Sequence, residues 1–118
     1  MLTLITVIII CIICLIKRFL EYKRAFYTMS YEELLQTKEW KAKRNNILKR
    51  DNNKCVFCGR TDNLQVHHKY YSKYPNGKMV KPWNYPDDAL ITLCKDCHSK
   101  VHNKHKIKVY YRKYSDNY

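Results

Sequence analysis

Cys55 and Cys58 form one Cys-x-x-Cys pair, and Cys94 and Cys97 form a second. Each pair can occupy one tight turn and bite a metal from one side. Together they supply four thiolates, the tetrahedral set that Zn2+ takes in closed structural sites. Two disulfides are the alternative. They are disfavoured because the chain reads as lacking an export signal and because such pairs make poor structural disulfide partners; reduced thiols suit a cytoplasmic setting. The spacing between the pairs exceeds what a compact zinc ribbon needs, and the intervening segment carries His67-His68.

His98 and His102 follow the second pair at i and i+4, on one helical face, a spacing suited to holding one ion. His67 and His68 are adjacent at a strand end, so their side chains point to opposite sides. One can bind the ion while the other stays free to take a proton. Four cysteines already fill a tetrahedral zinc, so the histidines imply a second, open metal position. On a basic protein, an open metal beside an uncoordinated histidine is the arrangement expected for phosphodiester hydrolysis. His105 is assigned to solvent.

The elements that position these residues can be read locally. Ser30 with Glu33 three later has the capping-box form and starts a short helix through Leu34 and Leu35. Thr37 caps a helix over 38–50, with Trp40 and Ile47 as core and Lys41, Lys43, Arg44, Lys49 and Arg50 exposed towards phosphate. Residues 51–53 end it as a turn. Leu64-Gln65-Val66 alternates as a strand leading into His67-His68, and residues 90–93 form a second short strand. Residues 71–88, with Gly77, Pro75, Pro82 and Pro86, read as a long loop. A short helix runs from Cys97 to about Lys104.

Length and charge bound the setting. The chain has 118 residues, enough for one small domain, and a formal charge of +13, a balance that suits DNA, RNA or an anionic membrane surface. Leu2 to Ile16 carries no charge, and Lys17 and Arg18 follow at once. A spanning helix needs about 20 apolar residues. The run approaches that length if Phe19 and Leu20 are counted while Lys17 and Arg18 snorkel. No basic residue precedes it and no small-residue cleavage site follows, so it reads as an uncleaved anchor rather than a signal peptide. The basic flank puts the remainder on the cytoplasmic side. Cys11 and Cys14, in greasy surroundings without further ligands, read as membrane filler. The expected organisation is a membrane anchor over 1–20, a linker over 21–29, a catalytic or binding domain over 30–105, and a basic, aromatic tail over 106–118.

The ordered set Cys55-x-x-Cys58, Leu64-Gln65-Val66-His67-His68, Leu90-Ile91-Thr92-Leu93-Cys94-x-x-Cys97-His98-x-x-x-His102, with Trp40, Arg44 and Arg50-Asp51 upstream, resembles the zinc-containing HNH endonucleases over roughly residues 33–103. The resemblance implies an α+β fold: a small ββα-metal core with a four-cysteine structural zinc and preceding helices. It implies His67, His98 and His102 as ligands of a catalytic divalent ion such as Mg2+ or Mn2+, and His68 as the general base. It implies DNA as partner, cleaved to 5′-phosphate and 3′-hydroxyl ends. Lys41, Arg44, Lys69 and Lys73 are the expected phosphate contacts; Tyr70, Tyr71, Tyr74 and Trp83 are expected mainly to pack. The family's usual Asn falls at Ala89, which cannot orient the base; Asp87, Asp88 or a loop backbone group is the available substitute. That departure favours the alternative, a catalytically inactive zinc-dependent module that binds nucleic acid.

Overall fold

The sequence opens with a long apolar run free of glycine and proline, followed by Lys, Arg, Glu and Ala, all good helix formers. In the computed structural model, which describes residues 1–112 except the side chains of Leu2 and Phe26, this stretch is one continuous helix, α1 (Leu2–Thr28). It is long and apolar enough over Thr3–Ala25 to cross a membrane or to serve as a signal sequence, and nothing within that window is buried by the rest of the chain. The expected linker over 21–29 is therefore helical almost throughout, because nothing in it breaks a helix.

Ser30 closes a complete capping box at the start of α2 (Tyr31–Leu34): Glu33 N–H donates to Ser30 Oγ at 3.2 Å, and Ser30 N–H donates to Glu33 Oε2 at 2.7 Å. Thr37 caps α3 (Lys38–Arg50), accepting from Trp40 N–H, and Lys49 and Arg50 lie in its last turn, where they complement the helix dipole. Asn52 and Asn53 take φ of 55° and 51° and end the helix, a left-handed conformation that Asn tolerates better than most residues.

Strand β1 (Leu64–His68) pairs antiparallel with β3 (Leu90–Cys94), in a register that sets Leu64 against Cys94 and His68 against Leu90. Helix α4 (Lys95–Lys104) follows β3 directly. Leu90 joins Trp40, Ile47, Val80, Tyr85 and Ala89 in one core against α3, while Leu93 packs with Cys55, Cys94 and Val101 on the α4 side. Asp51 fastens α3 to β3: its Oδ2 accepts Thr92 N–H at 2.9 Å and its carboxylate pairs with Arg50 at 2.8 and 2.9 Å. Arg50 also donates to the carbonyls of Asp87 and Leu90.

The segment expected as a loop over 71–88 is more ordered than that. It contains β2 (Tyr70–Lys73), which pairs in parallel with β4 (Lys108–Tyr111) from the tail. Short 3-10 turns cover Pro82–Asn84 and Asp87–Ala89. Val80 N–H donates to the Ser72 carbonyl, and Ser72 N–H donates to the buried Tyr85 hydroxyl, both at 2.8 Å. Gly77, at φ 81°, makes the tight reversal between Tyr74 and Lys78. The architecture is thus mixed helix and strand; tail residues 113–118 lie outside the described part.

Candidate metal centres

The first Cys-x-x-Cys is a knuckle closed by its own backbone. Gly59 N–H donates to the Cys55 carbonyl at 2.8 Å, and Cys55 N–H donates to the Arg60 carbonyl at 2.7 Å. Gly59 has φ 74°, the conformation that lets the chain turn back after the second cysteine. Val56 N–H bonds the Thr92 carbonyl at 3.0 Å, which ties the knuckle to β3. Across from it, Cys94 ends β3 and caps α4, its Sγ accepting Cys97 N–H at 3.5 Å. The Arg60–Asp96 ion pair links the knuckle to α4.

One ligand atom from each of Cys55, Cys58, Cys94 and Cys97 lies within 4.8 Å of all the others. The Cys58 and Cys94 sulfurs are 3.6 Å apart and all four thiols are free. A disulfide would need about 2.0 Å, whereas tetrahedral Zn–S bonds of about 2.3 Å put sulfurs about 3.8 Å apart. The cluster has the donors and the spacing to hold a zinc ion. Burial pushes the Cys55 thiol up, but the backbone amides of Cys94, Cys58 and Phe57 outweigh it and bring it down to about 6. Burial together with the hydrogen-bonded Cys94, Cys58 and Cys55 sends Cys97 up to about 12. The cluster's own amides thus favour a thiolate at Cys55, whereas its neighbours oppose one at Cys97.

The second cluster follows from strand and helix periodicity. Gln65 and His67 share one face of β1, two residues apart; His98 and His102 share one face of α4. These faces meet, and the nitrogens of His67, His98 and His102 come within 4.8 Å of one another. The three rings are mutually edge-on, with centroids 4.9, 5.1 and 4.5 Å apart. His98 Nε2 and His102 Nε2 approach to 2.9 Å. His67 Nδ1 is buried and makes no hydrogen bond among the described residues. Leaving such an atom unpaired costs about 1–3 kcal/mol. Desolvation first, and then His98, His102 and His68, lower His67 to about 4, so it is a neutral imidazole with a lone pair to give. This trio, too, could hold a metal ion.

His68 is not brought to the trio. Strand alternation turns it to the opposite face, where it is 3% exposed. There it stacks against Trp40 at 5.1 Å and Tyr71 at 5.4 Å, with Tyr85 edge-on at 4.7 Å. Its Nε2 lies 3.0 Å from the Pro82 carbonyl. A carbonyl only accepts, so Nε2 carries the proton and Nδ1 the lone pair. Burial holds His68 below its usual range. Ala89 is buried in the core and its carbonyl accepts Lys69 N–H at 2.9 Å. That bond continues the β1–β3 pairing one step past His68, and the group that reaches His68 itself is the Pro82 carbonyl.

Among the expected phosphate contacts, Lys41 and Lys69 are exposed and Lys73 is half-buried. Arg44 is committed internally, donating from Nη2 to the Leu64 carbonyl at 2.9 Å, and Lys43 pairs with Asp87. The sequence reading missed two residues at the centres. Pro82 acts through its carbonyl, which no side-chain pattern reveals. Gln65 lies 2.6 Å from His98 Nδ1 through Oε1; its place two residues before His67 was the available signal. Compared with family models, curated proteins and solved structures, the chain matches none of them.

Proposed function

We propose that this chain is a metal-dependent HNH-type endonuclease that hydrolyses phosphodiester bonds in DNA. The observation that carries the reading is the convergence of His67, His98 and His102 beside a separate four-cysteine cluster, on two antiparallel strands and the helix that follows them. Cys55, Cys58, Cys94 and Cys97 would hold the structural zinc and fix β3 against α4. His67, His98 and His102 would hold the second ion. Bound there, it would supply a Lewis acid beside a phosphate oxygen and the leaving oxygen. Three imidazole nitrogens suit Zn2+, Co2+ or Ni2+ better than Mg2+, which prefers oxygen donors.

The protein's own groups supply the rest. His68 would take the proton of the attacking water once DNA binding opens the Trp40, Tyr71 and Tyr85 enclosure on the face of β1 opposite the trio; Pro82 holds its Nε2 proton, the lone pair is on Nδ1, and burial lowers its pKa, which favours the neutral form a base needs. Exposed Lys41 and Lys69 bind backbone phosphates without reading sequence. The enclosure of His68 by Trp40, Tyr71 and Tyr85 favours a second reading, a zinc-dependent module that binds nucleic acid without cutting it.

A plasmid-nicking assay with Zn2+, Co2+, Mg2+ or Mn2+ separates the two. Under the first reading wild type nicks, while His98→Ala and His68→Ala both lose nicking and retain the cysteine-bound zinc. Tight DNA binding by wild type with no nicking under any ion supports the second. Nicking by His68→Ala at the wild-type rate removes His68 from the mechanism.

A further inference from the structure

The trio of histidines presents three lone pairs only if each ring is held in one tautomer, and His98 is the ring whose tautomer the structure specifies. Its Nε2 faces His102 Nε2 at 2.9 Å, and its Nδ1 lies 2.6 Å from Gln65 Oε1. The amide oxygen can only accept, so the His98 proton sits on Nδ1 and the lone pair on the inward Nε2. The other neutral tautomer would put a hydrogen at the centre and leave no electron pair for a cation. Gln65 is well placed to impose this choice. It is on the same face of β1 as His67, and its backbone is fixed opposite Leu93 in the ladder with β3. One strand face therefore provides both a ligand and the group that sets a second ligand.

We propose that Gln65 is a positioning residue for the His67–His98–His102 centre, holding His98 as an Nε2 donor and raising the affinity of the centre for a divalent transition ion. This rests on the reading of that trio as an ion site. The choice of amide over carboxylate has a further effect. A Glu at this position would orient His98 equally well but would cancel part of the ion's charge. Gln leaves a centre of neutral ligands, whose full positive charge faces an anionic phosphate. Outer partners of this kind typically alter metal affinity by about 10–100-fold.

The test uses the full chain in detergent, with the cysteine cluster filled by zinc so that it is silent in the visible. Co2+ is then titrated, and its weak d–d bands report a nitrogen-ligated second ion. Wild type should take up one Co2+ beside the zinc. Gln65→Ala should weaken that uptake by about 10–100-fold with the zinc content unchanged, and Gln65→Glu should restore it. Nitrogen-15 shifts of ion-free protein should show His98 as the Nδ1–H tautomer in wild type and Gln65→Glu, and a mixture in Gln65→Ala. Affinity for Co2+ in Gln65→Ala within about twofold of wild type, or an unchanged His98 tautomer, overturns the role of Gln65 while leaving the ion site standing. No Co2+ bound by zinc-loaded wild type overturns the ion site itself, and the inference with it.

Discussion

Removing the Asp51 carboxylate should loosen the whole β3–α4 unit, because this one side chain joins the end of α3 to the strand that presents Cys94. In Asp51→Ala, Thr92 N–H loses its acceptor at a residue with no solvent exposure, a loss of about 1–3 kcal/mol. The ion pair with Arg50, whose side chain is 38% exposed, adds about 0–1 kcal/mol. Arg50 keeps the carbonyls of Asp87 and Leu90 and is not left bare. The total, about 1–4 kcal/mol, corresponds to a fall in Tm of about 4–30 °C for a domain of this size. Zinc-loaded protein is melted while Trp40 and Trp83 fluorescence is followed. The pH dependence has a definite sign. Burial opposes the charged form of Asp51, but bonds from Arg50 and Thr92 prevail and hold its carboxyl below the usual 3.8. Its contribution is therefore complete above 3.8 and is lost only as pH falls through the lower folded value. Between pH 5.5 and 8 the penalty should be flat. A Tm within about 2 °C of wild type at pH 7, or a penalty that shrinks between pH 8 and 6, refutes the account.

Two further outcomes follow from burial. Ile47→Ala empties a site with 0% exposure in the core shared by α3 and β3, and should cost about 2–5 kcal/mol in denaturant unfolding without altering zinc content. With the cysteine cluster loaded and the histidine trio ion-free, His67 should titrate near 4, well below its usual 6.5. The unfolded chain then binds more protons between those values, so stability falls as pH drops from 6.5 towards 4; His67→Gln should flatten that part of the profile, and a wild-type His67 titrating near 6.5 by NMR contradicts it.

The two candidate clusters were legible because metal coordination demands fixed side chains at fixed intervals. Cys55 and Cys58, Cys94 and Cys97, and His98 and His102 announce themselves by spacing, and strand alternation alone separates His67 from His68. The capping box at Ser30 and the burial of Trp40 and Ile47 are likewise local in origin. What stayed hidden is non-local or carried by backbone. The parallel pairing of Tyr70–Lys73 with Lys108–Tyr111 joins segments far apart in the chain, and no short-range pattern encodes it. The hold of Pro82 on His68 uses a carbonyl that every residue has. Arg44 reads as a surface cation, and only the placement of the Leu64 carbonyl turns it inward.

Helix α1 runs without a break from the apolar segment to Thr28, and it is braced on the domain by the Tyr22 hydroxyl on Glu39 and by Lys78 on the Tyr27 carbonyl. Such a rod, about 40 Å long, has no slack. Set in a bilayer, it would act as a mast and not a leash: both clusters would stand at a fixed height and tilt above the lipid. Only nucleic acid that comes up to the membrane surface would reach them. Which molecules this protein meets would then be decided by where they are in the cell, before any base or phosphate is touched.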